Sequence, residues 1–284
     1  MSASNARRRK LISRIAETLC AIAVLLALLP LVLILFYVIK EGAGAMNLAF
    51  FTQMPKPVGE SGGGMANAIA GTLILIGLAG LFAVPIGCIC GIHLAEYPES
   101  KFSSAVRFAA DVMNGVPSIV VGIFAYGLVV LPVKRFSAIA GGVALGLLML
   151  PVIVRTTEEL LRLVPAGLRE GALALGASRS RAVFTVVVPA ALPGIITGVL
   201  VAVARVAGET APLLFTSLNN RFWSTNLAQP IASLTVQIYT YANSPYDDWH
   251  RQAWAGAFLL VMLILSLSIA ARLAVRRLER MNRP

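Results

Sequence analysis

Residues 170–189 read Glu-Gly-Ala-Leu-Ala-Leu-Gly-Ala-Ser-Arg-Ser-Arg-Ala-Val-Phe-Thr-Val-Val-Val-Pro. In helical register Leu168, Ala172 and Leu175 share one face, and Gly176 is the residue type that ends a helix in the left-handed conformation. Ser178 follows at the place where a hydroxyl caps the next helix by accepting a backbone N–H. The stretch is therefore expected to form two short helices joined by a tight elbow. Such an element lies flat beneath a membrane and offers a firm knob to a partner.

The membrane is implied by what lies on either side. The chain has 284 residues, 58% of them hydrophobic and 13% charged, against about 25% charged in an ordinary soluble domain. A helical crossing of a hydrocarbon core about 30 Å thick takes about 20 mainly apolar residues. Six stretches qualify: Ile15–Lys40, Ala66–Ala95, Ser103–Leu131, Ser137–Val154, Ala190–Phe215 and Ala253–Arg272. The first continues well past the 7 to 15 apolar residues of a secretory signal and reads as a retained anchor. These spans leave no room for a separate soluble catalytic domain. The expectation is an all-α membrane protein with about six transmembrane helices.

A formal net charge of +11 could suggest nucleic acid, but the distribution argues otherwise. Fifteen of the 24 basic residues fall in three places, Arg7 to Arg14, Arg155 to Arg181 and Arg272 to Arg283. That clustering at membrane edges follows the positive-inside rule. It places both termini and the segment from Arg155 to Pro189 in the cytoplasm, the latter carrying Glu158, Glu159 and Glu170 as well. The Gly- and Pro-rich loop Glu41–Met65 and the loop Thr216–Gln252 fall outside. Lys134 and Arg135, on an outer connector, are a local exception. Within the outer loop, Tyr241, Tyr246, Trp249 and Trp254 fit an aromatic belt at the membrane interface. Cys20, Cys88 and Cys90 all lie in apolar spans and show neither zinc nor disulfide spacing.

Glycines recur at four-residue spacing within the spans: Gly87 with Gly91, Gly142 with Gly146, Gly194 with Gly198. That spacing lets helix backbones approach closely in lipid. Pro85, Pro117, Pro151 and Pro212 lie within or at the ends of spans, where neighbouring groups can satisfy the freed carbonyls. Packed, bendable helices suit a transporter better than an inert anchor.

The elbow segment also carries a resemblance. Glu170-Gly171-Ala172, three residues, Gly176, nine residues, then Val186-Val187-Val188-Pro189 is similar to the E-A-A-x3-G-x9-I-x-L-P loop of the inner-membrane permease subunits of bacterial ABC importers. Gly171, Val186 and Val188 are small or aliphatic exchanges within it. In that family the loop docks into a groove on the ATP-hydrolysing subunit, so the resemblance implies the type I importer permease fold, with Glu170, Gly171, Ala172 and Gly176 in ATPase coupling. Gly115–Val120, Leu150–Glu159, Ala204–Thr216 and Phe222–Thr225 further resemble the A-type subunits of the phosphate-specific branch. That likeness implies import of inorganic phosphate across the bacterial inner membrane. It also implies a homologous second permease, two copies of an ABC ATPase that holds ATP and Mg, and a periplasmic phosphate-binding protein. Residues 1–65 are read as tail, first span and outer loop, and residues 66–284 as a permease core of five spans with its coupling loop at 155–189.

Arg205 and Glu209 lie one turn apart within the fifth apolar stretch. An ionisable group at such depth is costly and by default faces the bundle interior. Pro212 has no N–H, which frees the Gly208 carbonyl and predicts a bend beside the pair. Two readings stand. Arg205 and Glu209 line the substrate pathway, Arg205 offering a planar cationic fork to phosphate and Glu209 moderating its grip, or they form an internal salt bridge.

Other chemistries lack their residues. No G-x-x-x-x-G-K-[ST] phosphate loop occurs, so ATP is expected on another chain, and no cofactor is expected on this one. An intramembrane hydrolase would need a nucleophile and base in facing spans, yet His93 is the only histidine in a span; His93 and His250 are separate and read as structural. A secondary transporter commonly shows internal repeats, and none is evident. A permease for another small anion is the nearer alternative.

Overall fold

A computed structural model describes residues 3–60 and 62–281, and its regular structure is entirely helical. Of the terminal basic clusters, Arg283 lies outside the described residues, as do the side chains of Arg7, Arg276, Arg277 and Arg280. The long helices are α1 (Ala3–Ala43), α3 (Ala66–Glu96), α7 (Ala138–Arg162), α10 (Val188–Ala207) and α13 (Asp247–Met281). Between them lie α2 (Leu48–Thr52), α4 (Lys101–Gly115), α5 (Ser118–Ala125), α6 (Leu131–Val133), α8 (Ala166–Ala174), α9 (Arg179–Ala182), α11 (Ala211–Thr216) and α12 (Leu234–Ala242).

The core is the seam between α3 and α7. Of the membrane-spanning window of α7, 67% is buried, against none of the window of α1, which packs chiefly on α13. The glycine pairs sit in the helix seams: Gly87 and Gly91 of α3 face Ile153 and Thr157, Gly142 and Gly146 of α7 face Leu78 and Phe82, and Gly194 and Gly198 of α10 face Leu160 and Thr156. At Gly91 a Cβ would stand 2.6 Å from Thr157 Cβ and 2.8 Å from the Val154 carbonyl, so only glycine allows this approach. Val121, Leu145, Met149, Ile153, Ala202 and Leu213 fill the remaining core volume.

These contacts also fix the topology. Along the seam, positions 78, 82, 87 and 91 meet 142, 146, 153 and 157 in rising order, so α3 and α7 run in the same direction. The segment between them must recross the bilayer. The candidate for that crossing is the pair formed by α4 and the helix Ser118–Val133, bent by 108°, where hydropathy suggests the span Ser103–Leu131. The break falls at Val116-Pro117, where Val116 is extended (φ −72°, ψ 130°) as a residue preceding proline prefers. In contrast α10 runs against α7, since 194 and 198 meet 160 and 156. Five helices are long and apolar enough to cross a membrane, and the bent pair taken as one span makes six.

Two π-helical stretches, Tyr126–Val130 and Val183–Val187, interrupt the crossings. Each is followed after one residue by a proline, Pro132 or Pro189. A proline ring collides with the carbonyl four residues back, and widening the turn to a five-residue bond moves that carbonyl aside; Leu131 and Val188 donate their N–H groups to Tyr126 and Val183 accordingly.

The fifth span ends at Ala207, not Phe215, because the helix stops at Gly208 and restarts as α11 with Pro212 in its first turn. The segment Thr216–Gln252 is no simple solvated loop: Ile231 to Gln237 are buried. Its chain also supplies acceptors for the first N–H groups of α7, from Ser137 to the Thr216 carbonyl (3.1 Å), Ala138 to Gln229 (3.0 Å) and Ile139 to Leu227 (3.1 Å). Tyr241 and Trp249 belong to the core, stacked at 4.5 Å, whereas Tyr246 and Trp254 are exposed as a belt requires.

Candidate functional site

The elbow at residues 170–189 takes the local form its residues dictate. Helix α8 ends with Gly176 left-handed (φ 83°), its N–H donating to the Leu173 carbonyl at 2.9 Å while Ala177 donates to Ala172 at 3.1 Å. That is the double-bonded Schellman termination. The Ser178 hydroxyl then accepts from the Arg181 N–H and starts α9. The second arm is not a free helix lying flat, however. It continues through the π stretch into α10, so it is the foot of the fifth crossing. Glu170, Gly171 and Gly176 are exposed and Ala172 half-buried. A side chain at Gly171 would meet nothing within 4 Å. Leu163 and Leu175 are 77% and 91% exposed, and Leu168 and Leu173 nearly half exposed, so α8 presents an apolar knob that its own chain does not cover.

Two ion-pair junctions tie this end of the bundle together, and of their contacts only Arg155–Glu158 and Glu158–Arg162, three and four residues apart on α7, have a local spacing. Glu158, fully buried, receives three arginines: Arg107 Nε at 2.6 Å and Arg162 Nη2 at 2.7 Å on Oε1, and Arg155 Nη1 at 2.9 Å on Oε2. Arg155 also reaches Asp111 at 3.2 Å, and Arg107 donates to the carbonyls of Leu94 and Pro98. A cation on the carbonyls at the end of α3 is favoured by the helix dipole. The second junction is Glu96, also buried. It binds Arg169 Nη2 of α8 at 2.6 Å, and its backbone carbonyl accepts from Arg179 Nη2 of α9. The Arg179 guanidinium lies 4.6 Å from the Tyr97 ring, a cation–π contact.

Toward the other side of the membrane lies the break in the fifth crossing. Arg205 occupies the last turn of α10 and is exposed; Glu209 follows the break and is half-buried. The two make no ion pair with one another or with any described side chain. The interruption at Gly208 removes the one-turn register that the sequence suggests. The break is held by other groups: Glu209 N–H donates to Val206 (3.1 Å), and the Thr235 hydroxyl donates to the Glu209 carbonyl (2.9 Å). Val206, next to Arg205, packs at the level of Leu145, seven residues into α7 and hence about 10 Å from its N-terminal end. Arg205 is thus an exposed cation near the end of an apolar helix, on a surface the chain leaves open.

Both histidines have local surroundings. His250 Nε2 lies 2.6 Å from the Ser244 carbonyl, and His93 packs against Tyr97 and Phe102. Among the described residues no group of His, Cys, Asp and Glu could hold a metal ion.

Residues 83–282 match the family of binding-protein-dependent transport system inner membrane components. The phosphate transport system permease protein PstA of Yersinia pestis is 48% identical over 267 residues, covering 94% of this chain and 90% of the relative. That of Haemophilus influenzae is 45% identical, with 93% and 94% covered. The probable PstA of Methanocaldococcus jannaschii is 36% identical, with 89% of each covered. In three dimensions the fold is similar to the MetNI methionine ABC transporter in an inward-facing form, with a TM-score of 0.61, 22% identity and coverage of 75% of this chain and 97% of that one. An amino acid ABC transporter gives a TM-score of 0.54 at 20% identity, with 75% and 94% covered. The fold is the type I ABC importer permease fold, and the chain belongs to the phosphate transport system permease PstA family of binding-protein-dependent transport inner membrane components.

Proposed function

We propose that the chain is one half of the membrane channel of an ATP-driven importer and passes inorganic phosphate across the bacterial inner membrane. The observation that carries the substrate is Arg205, exposed at the end of an apolar helix and beside a break in it, which we read as a cation at membrane depth. Set against lipid, such a charge costs about 3 kcal/mol even on the lenient insertion scale. Set against a second, homologous permease across a water-filled seam, it costs little and attracts anions. A planar guanidinium matches phosphate oxygens two at a time. Glu209, close in sequence though not bonded to Arg205, moderates the field so that the anion is released as well as bound. Its carboxylate also accepts a hydrogen bond from the proton that hydrogen phosphate carries near neutral pH, a contact that fully ionised sulfate cannot make.

The knob on α8 supports the energetic half of the reading. Uncovered leucines on a cytoplasmic elbow suit the groove of an ABC ATPase, of which two copies would hold ATP and Mg while this chain performs no catalysis. Glu170, Gly171, Ala172 and Gly176 form the docking element. A periplasmic phosphate-binding protein delivers substrate to the opposite face, and both termini lie in the cytoplasm. Residues 66–284 form the transporting core, to which α1 adds a peripheral anchor.

The test is reconstitution of the four kinds of subunit in vesicles. ATP-dependent uptake of phosphate, excluding sulfate, is the expected result. Equal uptake of sulfate would move the assignment to a general anion permease, and uptake driven by an ion gradient without ATP would make it a secondary transporter.

A further inference from the structure

The two buried carboxylates near the cytoplasmic end differ in how completely they are bonded. Both oxygens of Glu158 are taken, one by Arg107 and Arg162 and the other by Arg155. At Glu96 only Oε1 has a hydrogen bond; Oε2 and the neighbouring Arg169 Nε have no hydrogen-bond partner among the described residues, although both are buried. Arg179 Nε stands 3.6 Å from Oε2, beyond hydrogen-bond reach, because the same guanidinium is engaged with the Glu96 carbonyl. A buried, half-satisfied polar group is unfavourable. A small displacement of the elbow would transfer Arg179 from carbonyl to carboxylate. The Glu158 junction is a fixed anchor. The Glu96 junction has a second arrangement within reach.

Its position gives that freedom a consequence. Glu96 holds both arms of the elbow, Arg169 on one side of Gly176 and Arg179 on the other. Helix α8 buries none of its own residues, so this ion pair is its strongest attachment to the bundle. At the opposite end of α3, the Thr72 hydroxyl accepts the Leu234 N–H at 2.8 Å, and Gly71 lies against the Ala232 carbonyl. The next residue, Thr235, holds the Glu209 carbonyl. From Thr72 to Glu96 is about 36 Å of helix. α3 is therefore a rod joined to the elbow at one end and, through two hydrogen bonds, to the break beside Arg205 at the other.

We propose that Glu96 is the positioning residue through which movement of the elbow is passed to α3 and from there to the broken fifth crossing. The assignment rests on the transport reading above. It supplies what coupling between distant sites requires, a contiguous path with an element that has two arrangements.

The test uses the assembled complex in vesicles with a phosphate-loaded binding protein. Three quantities are measured: assembled complex, basal ATPase activity, and the stimulation of ATPase by the loaded binding protein. Glu96→Gln removes the charge while Arg169 and Arg179, both partly exposed, turn to water. Assembly and basal activity should persist while stimulation falls about tenfold, within the usual range of coupling between linked sites. Arg169→Gln, altering the loop side, should do the same, and Arg169→Lys should retain most of the stimulation. Normal stimulation in both Gln variants would overturn the joint and leave the transport reading intact. Failure of both to assemble would overturn it too, since the pair would then hold the fold and not the coupling. Absence of stimulation in the unaltered complex would refute the transport reading and the joint with it.

Discussion

Replacing Gly91 by Ala, with Gly77→Ala beside it, tests whether close approach of α3 to α7 organises the bundle. Both glycines lie inside α3, where alanine stabilises a helix by about 0.5–1 kcal/mol relative to glycine. That gain is common to the two variants and cancels in their difference. At Gly77 the added methyl meets nothing within 4 Å, so the variant should be slightly more stable than the parent. At Gly91 the methyl would lie 2.6 Å from Thr157 Cβ and 2.8 Å from the Val154 carbonyl. Ordinary contact requires about 3.5 Å or more, so the seam must open by about 1 Å. Thr157 and Glu158 are fully buried and Glu158 is held by three arginines, which leaves the wall little freedom to retreat. Overpacking of this kind costs about 1–3 kcal/mol. Thermal unfolding in detergent should therefore place Gly91→Ala below Gly77→Ala by several degrees, at about 2–4 °C per kcal/mol for a chain of this size. Equal midpoints, or a higher one for Gly91→Ala, would refute the seam argument.

Further outcomes follow from the same geometry. Gly176→Val places a β-branched side chain at φ 83°, which strains the elbow by about 1–3 kcal/mol; insertion should be normal and substrate-stimulated ATPase reduced, as with Glu170→Lys, and unchanged stimulation in both would sink the docking assignment. Single cysteines at Gly63 or Asn243 should react with an impermeant thiol reagent from outside intact cells and one at Ser178 should not; labelling at Ser178 would reverse the orientation. Glu158→Gln strands three arginines around a neutral amide and should destabilise the protein by about 3–5 kcal/mol, the usual cost of breaking a buried pair, read as a lowered unfolding midpoint; an unchanged midpoint would mean that water already screens the cluster.

Much of the architecture was legible because the bilayer admits few solutions. Hydropathy located the crossings, glycine spacing marked the seams, and Gly176 with Ser178 forecast the elbow. What hydropathy could not see was direction within a span. The 108° bend at Val116-Pro117 and the stop at Gly208 lie inside apolar runs, where a broken helix has the same composition as a straight one. Prolines flagged both places without deciding between a kink and a break. The long-range contacts of the Glu96 and Glu158 junctions were invisible for another reason, whereas Arg155 and Arg162 stand at helical spacing from Glu158. Arg107 and Glu158 are 51 residues apart, and Glu96 lies 73 and 83 residues from Arg169 and Arg179. No local pattern announces such pairs; they form where α4 meets α7 and where α8 and α9 meet the end of α3. The Arg205–Glu209 register failed for the opposite reason, since four-residue spacing implies proximity only while the helix lasts.

The central claim is that Arg205 meets phosphate in a water-filled seam, and the direct measurement is phosphate uptake by the reconstituted Arg205→Gln complex, beside the amount of intact complex recovered. Removing an exposed charge with no bonded partner among the described residues should leave assembly intact, and uptake should be abolished. Arg205→Lys, which keeps the charge but loses the planar fork, should retain only part of it. Uptake by Arg205→Gln at the rate of the unaltered complex would contradict the account.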